Sequence, residues 1–323
     1  MTAIRELAPA KLNLLLHVGA RRADGLHELS SLFASLDLAD ELLIAEAEGE
    51  GEGEGEGEGE GEGEGEGEGV GAFAGAGAGG GEAVAVARGE RDVVVCPDVV
   101  GPNIALAALA AFRSATSAEL PPLEVTIAKR IPVAAGLGGG SADAAAVLRA
   151  ANALAGDPLG AGELRAIAAA VGSDVPSQIE PGNVFVGGAG EVVEPITLPA
   201  MTIVLIPQQK GLLAAEVYGE ADRLADRLGA PQRSLFDAGH ARALAALPLE
   251  RLAGCLENDL EAAALSLRPE LVRPLVLLRE RGALAALVAG SGPTVFGVFP
   301  DAQAGERAAA QLPNSILAMV AQR

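Results

Sequence analysis

Pro132-Val133-Ala134-Ala135-Gly136-Leu137-Gly138-Gly139-Gly140-Ser141-Ala142-Asp143 decides how the chain is read. Before it, Leu123-Glu124-Val125-Thr126-Ile127 alternates apolar and polar residues as a half-buried strand does. After it, residues 144–154 are rich in alanine, a strong helix former. The predicted order is strand, glycine loop, helix. Glycines leave backbone N–H groups uncovered and admit positive φ, Ser141 is of a helix-capping type, and a helix N-terminus carries partial positive charge. Such a loop suits a bound phosphate. A plain helix-entry turn uses the same glycines, so the loop alone leaves both readings open. A P-loop would place Lys-Ser or Lys-Thr after the last glycine, and a dinucleotide fold would place Gly-x-Gly-x-x-Gly here; neither is present. The Gly-x-Gly-x-x-Gly match at 75–80 lies in low-complexity sequence.

Half of the 323 residues are hydrophobic, enough for a substantial core and for one large domain or two ordinary ones. The net charge of −21 comes from 23 Lys and Arg against 44 Asp and Glu, and the eleven glutamates of 48–68 supply about half of it. No basic stripe is available to neutralise a phosphodiester backbone, and aromatics at 2% offer few stacking platforms. Nucleic acid is thus an unsuitable partner, and a small molecule is the expected ligand. Cys96 and Cys255 stand apart from each other and from any histidine at metal-ligand spacing. No apolar run reaches the ~18 residues of a membrane span, and residues 12–18 are too short for a signal peptide, so the cytoplasm is expected.

Along the chain, Lys11-Leu12-Asn13-Leu14-Leu15-Leu16-His17-Val18 alternates. This predicts a strand with Leu12, Leu14, Leu16 and Val18 on one face and Lys11, Asn13, Leu15 and His17 on the other. Taken alone, Lys11 and Asn13 on such a face read equally as solvated residues. Asp24-Gly25 marks a turn that delivers Leu26 and His27 to a second strand, with a break expected near 37–40. The Glu-Gly alternation and Gly-Ala tract over 48–81 bury too little apolar area to offset chain entropy, and a disordered surface loop is expected there. Further strands are expected at 83–86, 93–96, 183–186 and 202–206. Helices are expected at 103–112, 162–171, 212–228, 241–257 and 269–281. Asp174, in Gly172-Ser173-Asp174-Val175-Pro176, follows a helix and precedes a proline, a position at which aspartate commonly only caps or turns. Near the end a buried strand over 284–289 turns through Gly290-Ser291-Gly292-Pro293-Thr294 into 295–299, which by itself reads as a hairpin.

Pro9-Ala10-Lys11-Leu12-Asn13, the 132–142 loop and Gly290 to Thr294, in this order and spacing, resemble the three motifs of the GHMP kinases. Within that superfamily, Asp24-Gly25-Leu26-His27-Glu28-Leu29, Gly172 to Pro176 and Asn258-Asp259-Leu260-Glu261 resemble the branch that phosphorylates a cytidine diphosphate-linked sugar alcohol. The resemblance covers nearly all the chain outside the 48–81 insert. It implies an α+β two-domain architecture, 1–196 and 197–323, with the active site in the cleft between, in a monomer or homodimer.

The resemblance also implies residue roles. Lys11 and Asp174 become the catalytic pair, Asp174 accepting the substrate hydroxyl's proton. Pro132, Ala134, Ala135, Gly136, Leu137, Gly138, Gly139, Gly140, Ser141 and Ala142 become the wrapping of the ATP phosphates, with Asn103 and Lys129 beside the nucleotide. Mg²⁺ would be held mainly through the phosphates, with no protein metal ligand assigned. His27 would read cytosine and Tyr218 would stack on it, while Asn13 and Thr294 would meet the rest of the substrate. Leu26 stands where the branch usually has an aromatic, and Ser177-Gln178 replace an aromatic pair. The alternatives are a related kinase acting on homoserine or a mevalonate derivative, and a catalytically silent protein of the same fold that binds ligand.

Overall fold

Strand β1 (Ile4–Arg21) turns through Asp24-Gly25 into β2 (His27–Glu46), and the antiparallel hairpin they form is the spine of the molecule. Gly25 takes φ of 87°, and the Asp24 carboxylate accepts the Leu26 N–H at 3.0 Å, which explains the Asp-Gly pair at this turn. The structure, a computed structural model, describes residues 3–47, 86–89, 91–97, 99, 102–228 and 234–322. The expected loop over 48–81 and the strand residues 83–85 lie outside the described residues.

Among the described residues the hairpin belongs to an eight-stranded sheet. On one side β2 pairs with the sequence that followed β3 (Val86–Arg88), β4 (Val93–Val95) and helix α1 (Ile104–Ala115), namely β5 (Leu123–Ala128). Helices α2 (Gly139–Leu154) and α3 (Ala161–Val171) come next, then β6 (Val184–Gly188), which joins the turn end of β2, and β7 (Val192–Pro195), which pairs with β6. One face of this sheet packs on α1, α2 and α3, burying Leu42, Ile44, Val125, Ile127, Leu109 and Phe112 with the alanines of α2. Each large side chain so buried contributes ~1.5–3 kcal/mol. Alanine is what lets α2 lie close against β1 and β2.

The second half builds β8 (Thr202–Ile206), then α4 (Ala214–Leu228), α5 (Ala238–Ala245), α6 (Leu249–Ala253), the short β9 (Glu257–Asn258), α7 (Glu261–Leu267) and α8 (Val272–Glu280). It ends with β10 (Ala285–Val288), β11 (Val295–Phe299), α9 (Ala302–Ala309) and β12 (Ile316–Met319). A four-stranded sheet runs β10-β11-β8-β12. A core containing Leu12, Leu14, Leu32, Ile203, Leu205 and Phe296 lies between this sheet and the hairpin. β9 leaves its own half and pairs in parallel with β1, Leu15 against Glu257 and Leu16 against Asn258. His17 adds to that seam, its ring 2.9 Å from Glu257 Oε1 and edge-on to Phe236.

Several sequence expectations are corrected. The register of β1 shifts between Asn13 and Leu15, so Leu14 and Leu15 enter the same core and Leu16 a different one, breaking the two-faced alternation. Lys11 and Asn13, which taken alone left a solvated face open, are buried. β2 continues through 37–40 because Asp40, fully buried, accepts the backbone N–H groups of Arg130 and Ile131. Ser141 does not cap α2; Gly138 is the N-cap, in left-handed geometry with φ of 70°, and Ser141 lies in the first turn. The expected 241–257 helix is two short helices broken at Pro248, followed by β9.

Candidate active site

Lys11 and Asn13 alternate with Leu12 and Leu14 along β1 and are buried, where an unpaired ammonium would be costly. Lys11 Nζ donates to Asn13 Oδ1 at 2.8 Å, lies 3.1 Å from Asp174 Oδ2, and sits 4.5 Å from the centre of the Phe33 ring. Asn13 Nδ2 donates in turn to Ser31 Oγ, whose hydroxyl donates to the Leu15 carbonyl. The Lys11 side chain is 9% exposed and that of Asp174 35%, so the pair faces open space through its carboxylate. Asp174 comes from the turn after α3, and Ser177 Oγ donates to its carbonyl at 2.8 Å. Ser177, standing where the resembled branch commonly has an aromatic, thus braces the turn.

Two loops close on this pair. Lys11 N–H donates to the Leu137 carbonyl at 2.9 Å. A Cβ on Gly138 would lie 2.7 Å from Lys11 Cγ, and one on Gly136 would lie 2.6 Å from the Gly292 carbonyl oxygen. Gly290, with φ of 55°, stands where a Cβ would be 2.9 Å from Asn13 Oδ1. Only glycine allows such approaches. Asn258 fixes the last loop: its Nδ2 donates to the carbonyls of Val288 and Gly290, and its Oδ1 accepts the Leu260 N–H.

Lys11 lines one of two cavities, and Gly138, which approaches its side chain, lines the other. One, of about 370 Å³, is lined by the 132–141 loop with Asn103, Lys129 and Asp143. Asn103 caps α1, its Oδ1 accepting the Ala105 N–H. Lys129 Nζ donates to both Asp40 Oδ2 and Asp143 Oδ2, and those two carboxylates hold its ammonium above the usual lysine range despite burial. Burial pushes Asp143 up to about 7; Lys129 opposes the rise and the Asp40 carboxylate adds to it. With two buried carboxyls sharing one ammonium, one of them tends to keep its proton. The other cavity, of about 440 Å³, is lined by Lys11, Asn13, Leu26, His27, Asp174 and Tyr218, among others. His27 Nε2 lies 2.9 Å from Asp222 Oδ1, and its ring stacks on Tyr218 at 5.1 Å and 23°. Burial, and secondarily Asp174, push the Tyr218 hydroxyl up to about 12.

Residues 103–188 match the family "GHMP kinases N terminal domain" and residues 241–316 match "GHMP kinases C terminal". A 4-diphosphocytidyl-2-C-methyl-D-erythritol kinase of Nocardia farcinica is 38% identical over 95% of this chain and 89% of its own. The chain belongs to the GHMP kinases. One of Anaeromyxobacter dehalogenans, with the same name, is 36% identical over 94% of this chain and 83% of its own. Among GHMP structures, a crystallised 4-(cytidine 5'-diphospho)-2C-methyl-D-erythritol kinase superposes with a TM-score of 0.70 at 27% identity, covering 98% of both chains. Mevalonate kinase of L. major, crystallised with R-mevalonate, shares the fold at a TM-score of 0.64 and 15% identity, covering 99% of this chain and 97% of its own.

Against this GHMP frame, Lys11, Asn13, Leu26, His27, Asp174 and Tyr218 share one cavity, and Asn103 and Lys129 share the other with the glycine loop. Pro132 and Ala134 line that loop's cavity, and Leu137 and Ala135 contribute backbone to it while their side chains are buried in the core. Ala142 points wholly into the core and lines neither cavity. Thr294 is also apart: it is fully buried behind the Gly290 loop, and its Oγ1 has no hydrogen-bond partner among the described residues. Sequence reading missed Ser31, Phe33, Asp222 and the role of Asn258. Asn258 was visible within a string that marked the family, whereas Asp222 had a readable signal, one helical turn beyond Tyr218.

Proposed function

We propose that this GHMP kinase transfers the γ-phosphoryl group of ATP to the 2-hydroxyl of 4-diphosphocytidyl-2-C-methyl-D-erythritol, a step in non-mevalonate isoprenoid precursor synthesis. The observation that carries the reading is the Lys11–Asp174 pair at 3.1 Å, set between a glycine-loop cavity and a cavity holding His27 and Tyr218. The names of relatives at 36% and 38% identity over nearly the full length support the substrate.

Phosphoryl transfer to an alcohol needs in-line positioning, a proton acceptor and positive charge where charge develops. The substrate hydroxyl would donate to Asp174, whose turn is braced by Ser177. As the hydroxyl oxygen bonds the γ-phosphorus, the bond from that phosphorus to the β–γ bridging oxygen breaks and ADP leaves, while the hydroxyl proton passes to the Asp174 carboxylate. Lys11, oriented by Asn13 and Phe33, faces the charge on the transferred group. Backbone N–H groups of the 136–141 loop and the N-terminus of α2 would hold the ATP phosphates, and Gly138 lets that loop come against Lys11. Asn103 and Lys129 would flank the nucleotide, and Asn13 and Thr294 would support the substrate's polar end, Thr294 from behind its loop.

Magnesium supplies charge neutralisation on the phosphates in such transfers. Among the described residues no cluster of three metal-ligating side chains exists, and Asp143 offers one buried oxygen without a partner beside the loop. That donor set suits an ion held mainly by phosphate oxygens. The division into units 1–196 and 197–323 goes with this reading, as does a cytoplasmic site of action; among the described residues no helix is long and apolar enough to cross a membrane.

Incubation with ATP and the cytidine-linked alcohol, followed by ³¹P NMR, should reveal a new phosphomonoester on the 2-position beside an intact diphosphate. Unchanged substrate after prolonged incubation would rule the activity out.

A further inference from the structure

His27 is held by a partner that the proposed chemistry does not use. Helix α4 carries Tyr218 and Asp222 one turn apart, so a single helix face presents a ring and a carboxylate together. His27, at the start of β2, stacks on the ring and turns Nε2 to the carboxylate at 2.9 Å. The histidine side chain is 9% exposed and the aspartate 47%, so the aspartate grips a buried ring from the solvent side. The two rings at 5.1 Å leave no room for a base between them, which would require about 7 Å, twice a ~3.5 Å contact. A base that hydrogen-bonds His27 does so at the ring edge, and Nδ1 is the ring nitrogen that Asp222 does not occupy.

We propose that Asp222 is a positioning residue that fixes the tautomer of His27 and thereby selects cytosine over uracil; this rests on the cytidine reading above. A carboxylate only accepts, so Nε2 must carry hydrogen. In the neutral ring Nδ1 is then a bare acceptor. Cytosine presents an amino group at C4, a donor, where uracil presents a carbonyl, an acceptor. The amino group satisfies Nδ1. The carbonyl sets lone pair against lone pair and leaves both groups unpaired in a buried site, the situation in which polar sites discriminate most strongly. Without Asp222 the hydrogen is free to move to Nδ1, which then donates to a carbonyl.

The test uses the full chain at about pH 8, above the ordinary histidine range. Imidazole ¹⁵N signals report the tautomer without ligand, and calorimetric titration with CDP and UDP reports the base preference. Wild type should show the Nε2–H form and favour CDP by about tenfold or more, the scale of one hydrogen bond. Asp222→Ala should mix the tautomers and remove most of that preference, leaving ATP affinity unchanged. Asp222→Asn, whose amide oxygen still accepts from Nε2, should keep most of it. An Asp222→Ala protein with the wild-type tautomer and the wild-type CDP-to-UDP ratio overturns the proposal. Equal loss in the alanine and asparagine variants overturns the tautomer assignment in favour of charge. A wild type that binds neither nucleotide, while its ring signals still respond to Asp222, overturns the cytidine reading instead.

Discussion

Lys11 is an ammonium made tolerable by its surroundings: a carboxylate, an amide oxygen and an aromatic face each take one side of it. Its carboxylate partner is the exposed member and the one positioned to receive a proton. Asp174→Asn should lower turnover by about 100-fold or more while ATP affinity is retained, the span expected for losing a general base. Steady-state kinetics with calorimetric ATP titration checks this, and a variant keeping most of its turnover would remove Asp174 from that role. Asp143 is buried beside Lys129 and Asp40. Its carboxyl has an ordinary value of 3.8 and is pushed up to about 7 in the folded chain, so the folded state holds the extra proton between those values. Its contribution to stability therefore falls as pH rises from about 4 to about 7. Asp143→Asn should melt with wild type near pH 4 and above it near pH 8; the opposite order would contradict the burial argument. At this scale the sequence was only partly legible. Lys11 and Asp174 were found through motif resemblance, since residue type alone read equally as surface or turn. The 37–40 stretch reads locally as a strand break, because nothing nearby reveals that the partners of Asp40, Lys129 and the 130–131 backbone, arrive about ninety positions later.

Elements place these residues through backbone approach. Gly136 has φ of 76° and sits against the Gly292 carbonyl, so Gly136→Ala meets both a left-handed penalty of ~1–2 kcal/mol and a backbone clash. Gly162, in α3, has nothing within 4 Å of a built Cβ, and Gly162→Ala should be neutral or gain ~0.5–1 kcal/mol. Thermal melts of the two variants side by side test the contrast. Asn258→Ala breaks three hydrogen bonds at ~1 kcal/mol each and frees the Gly290 loop, so it should cost about 2–3 kcal/mol and raise KM for the alcohol. Urea titration and kinetics measure both; unchanged values would show that the loop holds its shape without Asn258. The strand-loop-helix of 123–154 was legible because its periodicity changes at the glycines, and the 284–299 hairpin was legible from its apolar runs. The β1 bulge was hidden, since a one-residue register shift depends on the partner strand. The 241–257 run carries helical periodicity, and Pro248 ends the first helix within it.

The whole molecule sets two sheets about a shared core, and the site draws Lys11 and the 132–141 loop from the first half and Tyr218 and the Gly290 loop from the second. Order and spacing of three motifs made that assembly legible before any contact was known. The parallel seam of β9 on β1, which fixes the halves at Asn258, was not legible, because a two-residue strand has no periodicity to read. This assembly is proposed to phosphorylate a cytidine-linked alcohol. ADP release, measured with a coupled assay against 4-diphosphocytidyl-2-C-methyl-D-erythritol, homoserine and mevalonate in parallel, tests it most directly. Turnover is expected on the first, with kcat/KM at least about 100-fold above the others, the discrimination a built polar site provides. Turnover on homoserine or mevalonate instead, or on none of the three, would contradict it.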